Sequence, residues 1–259
     1  MRADWRNRYD AALSAAAAAS RLAMQYFDGT FTVERKADES PVTIADREAE
    51  TLLRKTLSTA FPDDGFLGEE HGAEPGTSGF RWIIDPIDGT RNFVRGIPIW
   101  GTLVGLEYEK ELVAGVIEAP AIGHRWHALR GNGAFHNERR VRVSDVTDLS
   151  KSTIFYTSLP WFQKADRVDQ FLEFTRRSEV QRGFGDFYGH VLVAQGSGEL
   201  MVEYGVHAWD VAAIKPIVEE AGGRFSAWDG SQDIERPDVL VSNGHLHDEA
   251  LRILASKPR

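Results

Sequence analysis

Trp82-Ile83-Ile84-Asp85-Pro86-Ile87-Asp88-Gly89-Thr90 is the stretch that decides the reading of this 259-residue chain. A hydrophobic run suited to a buried strand leads straight into two aspartates, with Pro86 and Gly89 punctuating the segment. The pattern predicts a strand over Phe80–Ile84 and then a turn that brings Asp85 and Asp88 together just past the strand end. Magnesium takes hard oxygen ligands, usually a few carboxylates plus waters and substrate phosphate, and the Ile87 carbonyl offers a further oxygen. A carboxylate shared by two ions roughly 3.5–4 Å apart is a common arrangement for in-line phosphoryl transfer. Asp-Pro and Asp-Gly are also frequent turn formers. Taken alone, the two dipeptides fit an ordinary turn with solvated aspartates better.

Outward from this segment the chain alternates helix and strand signals. Trp5, Tyr9, Leu13 and Ala16 recur at helical spacing and continue through Leu22, Tyr26 and Phe27, predicting a helix over Asp4–Phe27 that stops at Asp28-Gly29. Arg2, Arg6 and Arg8 before Ala11–Ala19 loosely mimic a targeting peptide, but Asp4 and Asp10 interrupt them, and the helix is expected to belong to the mature fold. Phe31–Arg35 alternates like a strand, Thr43–Ala60 is helical, and Phe66-Leu67-Gly68 approaches the acidic pair Glu69-Glu70. Glu74–Gly79 has loop composition, and Ile99–Tyr108, Leu112–Glu118 and His124–Leu129 read as an antiparallel meander. In the second half Val168–Arg177, Asp186–Gln195, Asp210–Ala221 and His247–Ala255 read as helices. Leu200–Glu203, Arg224–Ala227 and Val239–Ser242 read as strands. Mixed sheets interleaved with helices predict a layered α/β or α+β sandwich. A single catalytic domain over residues 1–259 is expected, in two intimately packed halves with a soft seam near 145–150.

Composition narrows the function. Hydrophobic residues make up 42% and charged residues 27%, an ordinary globular balance. Thirty basic residues face 39 acidic ones, a net charge of −9, which argues against a nucleic-acid backbone binder. It leaves a phosphate substrate open, because bound divalent cations reverse the local sign of an acidic pocket. The chain has no cysteine, which excludes thiolate chemistry and Cys-based metal sites and fits a reducing cytoplasm. No run approaches the ~18 apolar residues that span a bilayer. A cytoplasmic protein without membrane or nucleic-acid partners is expected.

The whole segment from Trp82 to Thr90 resembles the signature of the inositol monophosphatase family, a lithium-sensitive, magnesium-dependent group of phosphatases. Gly68-Glu69-Glu70 is similar to that family's acidic strand end, and Trp209-Asp210 within His207–Ala212 to its second signature. Lys36 with Pro41–Asp46 is similar to the segment before its second helix, so the resemblance covers nearly the whole chain. It implies a layered α+β sandwich of αβαβα type, the fold shared with fructose-bisphosphatase-like sugar phosphatases, assembled as a homodimer. It further implies that Glu69, Asp85 and the Ile87 carbonyl hold one Mg2+ and that Asp85, Asp88 and Asp210 hold a second. Glu69 would assist a third ion through water. Thr90 and Asp46 would orient and deprotonate the attacking water, while the Gly89-Thr90 amides would bind phosphate oxygens. Water would attack phosphorus directly, without a phosphoenzyme. Asp210 has a second reading as a helix N-cap, His190 and His207 are expected to be structural or supporting, and Trp209 to pack.

Substrate choice rests on the second half. Where inositol-type members carry a Gly followed by a small hydroxyl residue and alanine, this chain reads Gly185-Asp186-Phe187. Glu203 matches a family position that contacts the alcohol portion. Two carboxylates around the leaving group suit a cationic alcohol, and the pattern resembles the histidinol-phosphate phosphatase branch. L-histidinol phosphate, with its ammonium and imidazole groups, is therefore the expected small phosphate monoester, placing the chain in histidine biosynthesis. Asp186 is also read as a helix N-cap after Gly185. Inositol 1-phosphate is the alternative. 3′-Phosphoadenosine 5′-phosphate lacks an obvious basic cradle beyond Lys36, Arg91 and Arg95, and the intact acidic set argues against a non-catalytic metal-binding protein.

Overall fold

Along Phe80–Asp88 successive side chains leave the backbone on opposite faces, and this alternation sets the layers. Trp82 and Ile84 pack towards the N-terminal helices, whereas Ile83 packs against Ala212. A computed structural model describes residues 3–27, 33–35 and 41–256 of the chain. The expected helix stop at Asp28-Gly29, the residues Phe31 and Thr32 of the expected strand, and Lys36 lie outside the described residues.

The first half runs α1 (Ala3–Phe27), β1 (Val33–Arg35), β2 (Pro41–Thr43), α2 (Ile44–Ala60), β3 (Gly65–Gly68), β4 (Gly72–Glu74), β5 (Phe80–Asp88), α3 (Thr90–Phe93), β6 (Gly101–Tyr108), β7 (Glu111–Ala119), β8 (His124–Leu129), β9 (Gly133–His136) and β10 (Arg139–Val141). The second adds β11 (Thr153–Tyr156), α4 (Leu159–Lys164), α5 (Val168–Arg177), β12 (Val180–Arg182), α6 (Asp186–Ala194), β13 (Leu200–Tyr204), α7 (Ala208–Val211), α8 (Ile214–Glu220), β14 (Arg224–Ser226), β15 (Asp238–Ser242) and α9 (His247–Leu254). An eight-stranded sheet has the order β10-β9-β8-β7-β6-β5-β3-β4, and a five-stranded sheet the order β12-β11-β13-β15-β14. The meander from β5 to β10 is antiparallel, while β3 lies parallel to β5.

Three apolar clusters define the layering. Tyr9, Ala12, Ala16 and Ala19 of α1 and Leu53 and Leu57 of α2 cover one face of the large sheet. The alanine run thus serves as a small-residue face that lets α1 lie close to β6 and β7. Phe187 and Val191 of α6 with Ile214 and Ile217 of α8 fill the space between the sheets. Phe162, Phe171, Phe174, Ala250 and Ile253 cover the outer face of the smaller sheet. Each large apolar side chain buried in this way contributes roughly 1.5–3 kcal/mol. The result is a helix–sheet–helix–sheet–helix sandwich, the layered α+β class the sequence predicts. A buried polar tie fixes β5: Asp64 accepts two 2.8 Å bonds from Arg8 of α1 and one of 3.1 Å from Trp82 Nε1.

Several boundaries differ from expectation. The helix expected over Asp210–Ala221 is two helices, α7 and α8, separated at Ala212-Ala213. Pro216 explains the break, because a proline ring collides with the carbonyl four residues earlier, here that of Ala212, and is tolerated only in a helix's first turn. The segment expected as loop from Glu74 contributes its first residue to edge strand β4. β9, β10, β11, β12 and α4 carry periodic signals too short to single out from sequence. Among the described residues no helix is long and apolar enough to cross a membrane.

Candidate active site

The turn expected between Asp85 and Asp88 is a bulged strand. Asp85 pairs with Leu103 and Asp88 with Gly101, so Pro86 and Ile87 face the single residue Thr102. Proline has no N–H to give a ladder and is therefore accommodated at a bulge. Thr102 Oγ1 donates to the Pro86 carbonyl at 2.8 Å, and the Ile87 N–H to Asp85 Oδ1 at 3.0 Å. The extra residue turns both aspartates towards the strand's open end. Gly89, at φ +83°, then lets the chain enter α3.

Asp210 reaches the same point from the layer between the sheets. Gly105 and Gly115 are cross-strand partners on β6 and β7, and the backbone at Ala212-Ala213 lies directly on them. A Cβ on Gly105 would stand 2.8 Å from that of Ala212, and one on Gly115 would collide with the Ala213 carbonyl. This bare patch seats the α7–α8 junction. Asp210 is the third residue of α7 rather than its N-cap: its Oδ2 accepts from the N–H of the cap residue, His207, at 2.7 Å. Asp85, Asp88 and Asp210 each present an oxygen within 4.8 Å of the others.

The electrostatics of this cluster are those of a candidate cation site. Burial, followed by the charges of Glu69, Asp88 and Asp210, pushes the Asp85 carboxyl well above the ordinary carboxylate range. Burial, followed by Asp186 and Asp210, does the same to Asp88. Carboxylates held together out of water require a proton or a cation to offset their repulsion. Three converging oxygens, with the Ile87 carbonyl on the same cavity wall, are the hard donor set that a divalent ion takes.

Glu69 follows β3 and lines the same cavity. Its loop is fixed by Glu50, a buried carboxylate of α2 that accepts from the N–H groups of Glu70 and His71 at 2.7 and 3.2 Å and from Arg54 Nε at 2.8 Å. Glu50 belongs to no motif visible in sequence; its one sign is the i+4 spacing from Asp46, which puts both on one helix face. Asp46 sits in the first turn of α2, where its Oδ2 accepts from the Thr43 N–H at 2.8 Å and hydroxyl at 2.6 Å in a capping box. Its Oδ1 lies 3.4 Å from Thr90 Oγ1, which also donates to the Ile87 carbonyl at 3.0 Å. Burial pushes the Asp46 carboxyl up to about 6.

At the start of α6, Gly185 is the N-cap and Asp186 the first helical residue, with φ +56°. Aspartate tolerates this left-handed conformation better than most side chains. Asp186 Oδ2 accepts from Asn92 Nδ2 at 3.2 Å, and burial, followed by Glu203 and Asp210, pushes its carboxyl up to about 7. Asp186 lines the cavity, but Glu203 does not face it as expected. Glu203 is buried behind Asp186, bonded to the Thr157 hydroxyl, to the Asp186 N–H at 3.3 Å and to His190 Nε2 at 2.8 Å. Both of its oxygens are engaged in these bonds, which set it directly behind Asp186. Gly185 likewise packs against Thr157 instead of lining the cavity.

A cavity of about 870 Å³ unites these groups, within the roughly 300–1,000 Å³ usual for small ligands. Glu69, Asp85, Asp88, Gly89, Thr90, Asp186 and Asp210 line it, while Asp46 stands behind Thr90. Residues with no expected role also line it, among them Trp161, Lys164, Tyr204 and Glu235. They come from α4, the end of β13 and the loop between β14 and β15, which share no motif. The arrangement is an acidic floor able to take a cation beside a hydroxyl–carboxylate pair, under a mixed aromatic and charged wall.

Comparison with known proteins places this geometry. A family model described as inositol monophosphatase family matches residues 4–258. A protein named histidinol-phosphatase from Streptomyces coelicolor is 44% identical over 231 residues, covering 86% of each chain. One named inositol-1-monophosphatase from Mesorhizobium japonicum is 36% identical over 231 residues, covering 87% of this chain and 86% of the other. The crystal structure of extragenic suppressor protein suhB from Bartonella henselae superimposes with a TM-score of 0.90 at 32% identity, covering 95% of this chain and 98% of that one.

Proposed function

The chain belongs to the inositol monophosphatase family and is a phosphoric monoester hydrolase, and from that premise we propose that it hydrolyses L-histidinol phosphate to L-histidinol and phosphate in a magnesium-dependent reaction. The observation that carries the substrate reading is Asp186. It puts a carboxylate, held by Asn92 and backed by Glu203, on the wall of the cavity that contains the Asp85–Asp88–Asp210 trio. An anionic wall beside a phosphate-handling floor favours an alcohol that carries a cation, as the ammonium group of histidinol does, over a neutral polyol. The 44% identity to a protein named histidinol-phosphatase supports the same choice.

Glu69, Asp85, the Ile87 carbonyl, Asp88 and Asp210 are the residues that would hold magnesium. The bound ions would supply charge neutralisation at the phosphate and departing alkoxide and would acidify water. Thr90 Oγ1, turning its single O–H from the Ile87 carbonyl to Asp46, hands that proton to Asp46 as it accepts one from the attacking water. A carboxylate whose pKa stands near 6 is a better proton sink at neutral pH than an ordinary one while remaining largely ionised. The N–H groups at the start of α3 orient phosphate oxygens.

The test is phosphate release from L-histidinol phosphate and from inositol 1-phosphate, each with magnesium and with chelator. A higher kcat/KM for L-histidinol phosphate, abolished by chelator, is expected. A higher kcat/KM for inositol 1-phosphate would overturn the cationic-substrate reading and leave the hydrolase intact.

A further inference from the structure

We propose that Trp161, Tyr204 and Glu235 form a subsite for a flat nitrogen heteroaromatic ring, which in the substrate proposed above is the imidazole; the inference rests on that reading. All three line the cavity that holds the carboxylate trio. Trp161 and Tyr204 are half-buried, with ring centroids 6.4 Å apart and planes inclined at 50°. Tyr204 is supported from behind by Trp228 at 5.6 Å, and Trp228 stacks at 6.0 Å on the buried Phe162. The aromatic wall is therefore fixed in place.

Gly205 shows how closely the wall is built. It has φ +91°, and a Cβ there would stand 2.6 Å from the Trp161 ring. Any side chain at this position would push the indole aside. The next chain segment is clamped to the same turn: the Pro237 carbonyl accepts from the N–H groups of Gly205 at 2.6 Å and Val206 at 3.2 Å. That clamp holds Glu235, an exposed carboxylate, at the cavity rim.

The chemistry of the three groups is complementary to an imidazole. Indole and phenol faces stack on a planar ring and attract it more strongly when it is protonated. Lys164 Nζ already lies 4.7 Å from the Trp161 ring centroid, so this indole accommodates a cation. A rim carboxylate accepts an imidazole N–H and favours its protonated form. Asp186 would then meet the ammonium group and the aromatic wall the ring, dividing recognition of one alcohol between two ends of one cavity.

Steady-state phosphate release by the full chain with magnesium tests this, using L-histidinol phosphate beside the small neutral ester glycerol 2-phosphate. Trp161→Ala is expected to raise KM for L-histidinol phosphate about tenfold, with kcat changed less than about twofold. Trp161→Phe is expected to restore most of the loss. Glu235→Gln, at an exposed position, is expected to raise KM about threefold. L-histidinol should inhibit the Trp161→Ala protein about tenfold more weakly than the unaltered enzyme, while inorganic phosphate inhibits both alike. Equal losses for both esters, or an unchanged KM for L-histidinol phosphate in both variants, would overturn the subsite alone. Failure of the unaltered enzyme to hydrolyse L-histidinol phosphate would overturn the substrate reading and the subsite together.

Discussion

The carboxylate of Asp88 accepts a 2.5 Å hydrogen bond from the backbone N–H of Phe187, 99 residues further along the chain. The end of β5 is thereby tied to the start of α6, and a candidate metal ligand shares its orientation with the neighbouring Asp186. Asp88→Asn keeps an oxygen for that bond but removes one charge from the crowded cluster. Turnover is expected to fall by at least ~100-fold, since an electrostatic contact in the transition state is lost. In chelator at pH 8 the variant is expected to melt above the unaltered protein, because like-charge repulsion is relieved. Magnesium should raise the melting temperature of the unaltered protein and not that of the variant. Near-normal turnover with a retained magnesium response would remove Asp88 from the metal site.

Metal-free stability is expected to depend on pH in a defined direction. Asp186 at about 7 and Asp46 at about 6 hold protons more tightly when folded than at the ordinary 3.8 of an unfolded chain. Between 3.8 and about 7 the folded state therefore binds more protons, and stability falls as pH rises through that window. His247 acts oppositely. Burial between Ser226 and Ser242 pushes it down to about 4, so stability is lost as pH falls from 6.5 towards that value. Burial lowers His127 and His136 in the same direction, but the effect of all three histidines fades above their ordinary 6.5, whereas Asp85 and Asp88, pushed well above the ordinary range, extend that of the carboxylates upward. In chelator the melting temperature should be higher at pH 6.5 than at pH 8, and saturating magnesium should shrink or reverse the difference, because the ions replace the protons. A metal-free protein more stable at pH 8 would contradict the electrostatic picture.

What the sequence revealed and what it concealed divide along physical lines. Asp85, Asp88 and Thr90 lie within one short segment, so local pattern brings them together, and the apolar alternation from Phe80 to Leu129 displays the meander. The bulge at Pro86-Ile87 was hidden because aspartate, proline and glycine signal turns whether or not strand pairing continues on both sides. Glu203 illustrates the opposite difficulty. Its position beside Asp186 was legible, but its burial depends on Thr157 and His190, which only the tertiary packing brings to it. Glu50 and the Trp161–Tyr204 wall likewise exist only once distant elements meet.

The Gly105–Gly115 pair makes the position of Asp210 testable from a distance. Gly115→Ala places a methyl group against the Ala213 carbonyl, which a backbone contact cannot yield without moving the α7–α8 junction. A cost of about 1–3 kcal/mol in unfolding free energy is expected. Because the junction carries Asp210, the magnesium concentration for half-maximal activity should rise as well, beyond anything a uniformly destabilised fold would show below its melting range. Loss of stability with an unchanged magnesium requirement would mean that Asp210 is positioned by other contacts.

Thr90 separates water handling from metal binding. Its hydroxyl stands between the Ile87 carbonyl and Asp46, at 3.0 and 3.4 Å, and it has no carboxylate to offer a metal. Thr90→Ala removes the proton path to Asp46 while leaving Asp85, Asp88 and Asp210 in place. Its kcat is expected to fall by about 10²–10⁴-fold, the usual range for losing general acid–base assistance. The magnesium-induced rise in melting temperature should persist. Thr90→Ser keeps the hydroxyl and should recover most of the rate. The acidic limb of the kcat–pH profile should follow the Asp46 carboxyl near 6 in the serine variant and flatten in the alanine variant. Equal rates for the alanine and serine variants would show that the hydroxyl is dispensable and that water is oriented elsewhere in the cavity.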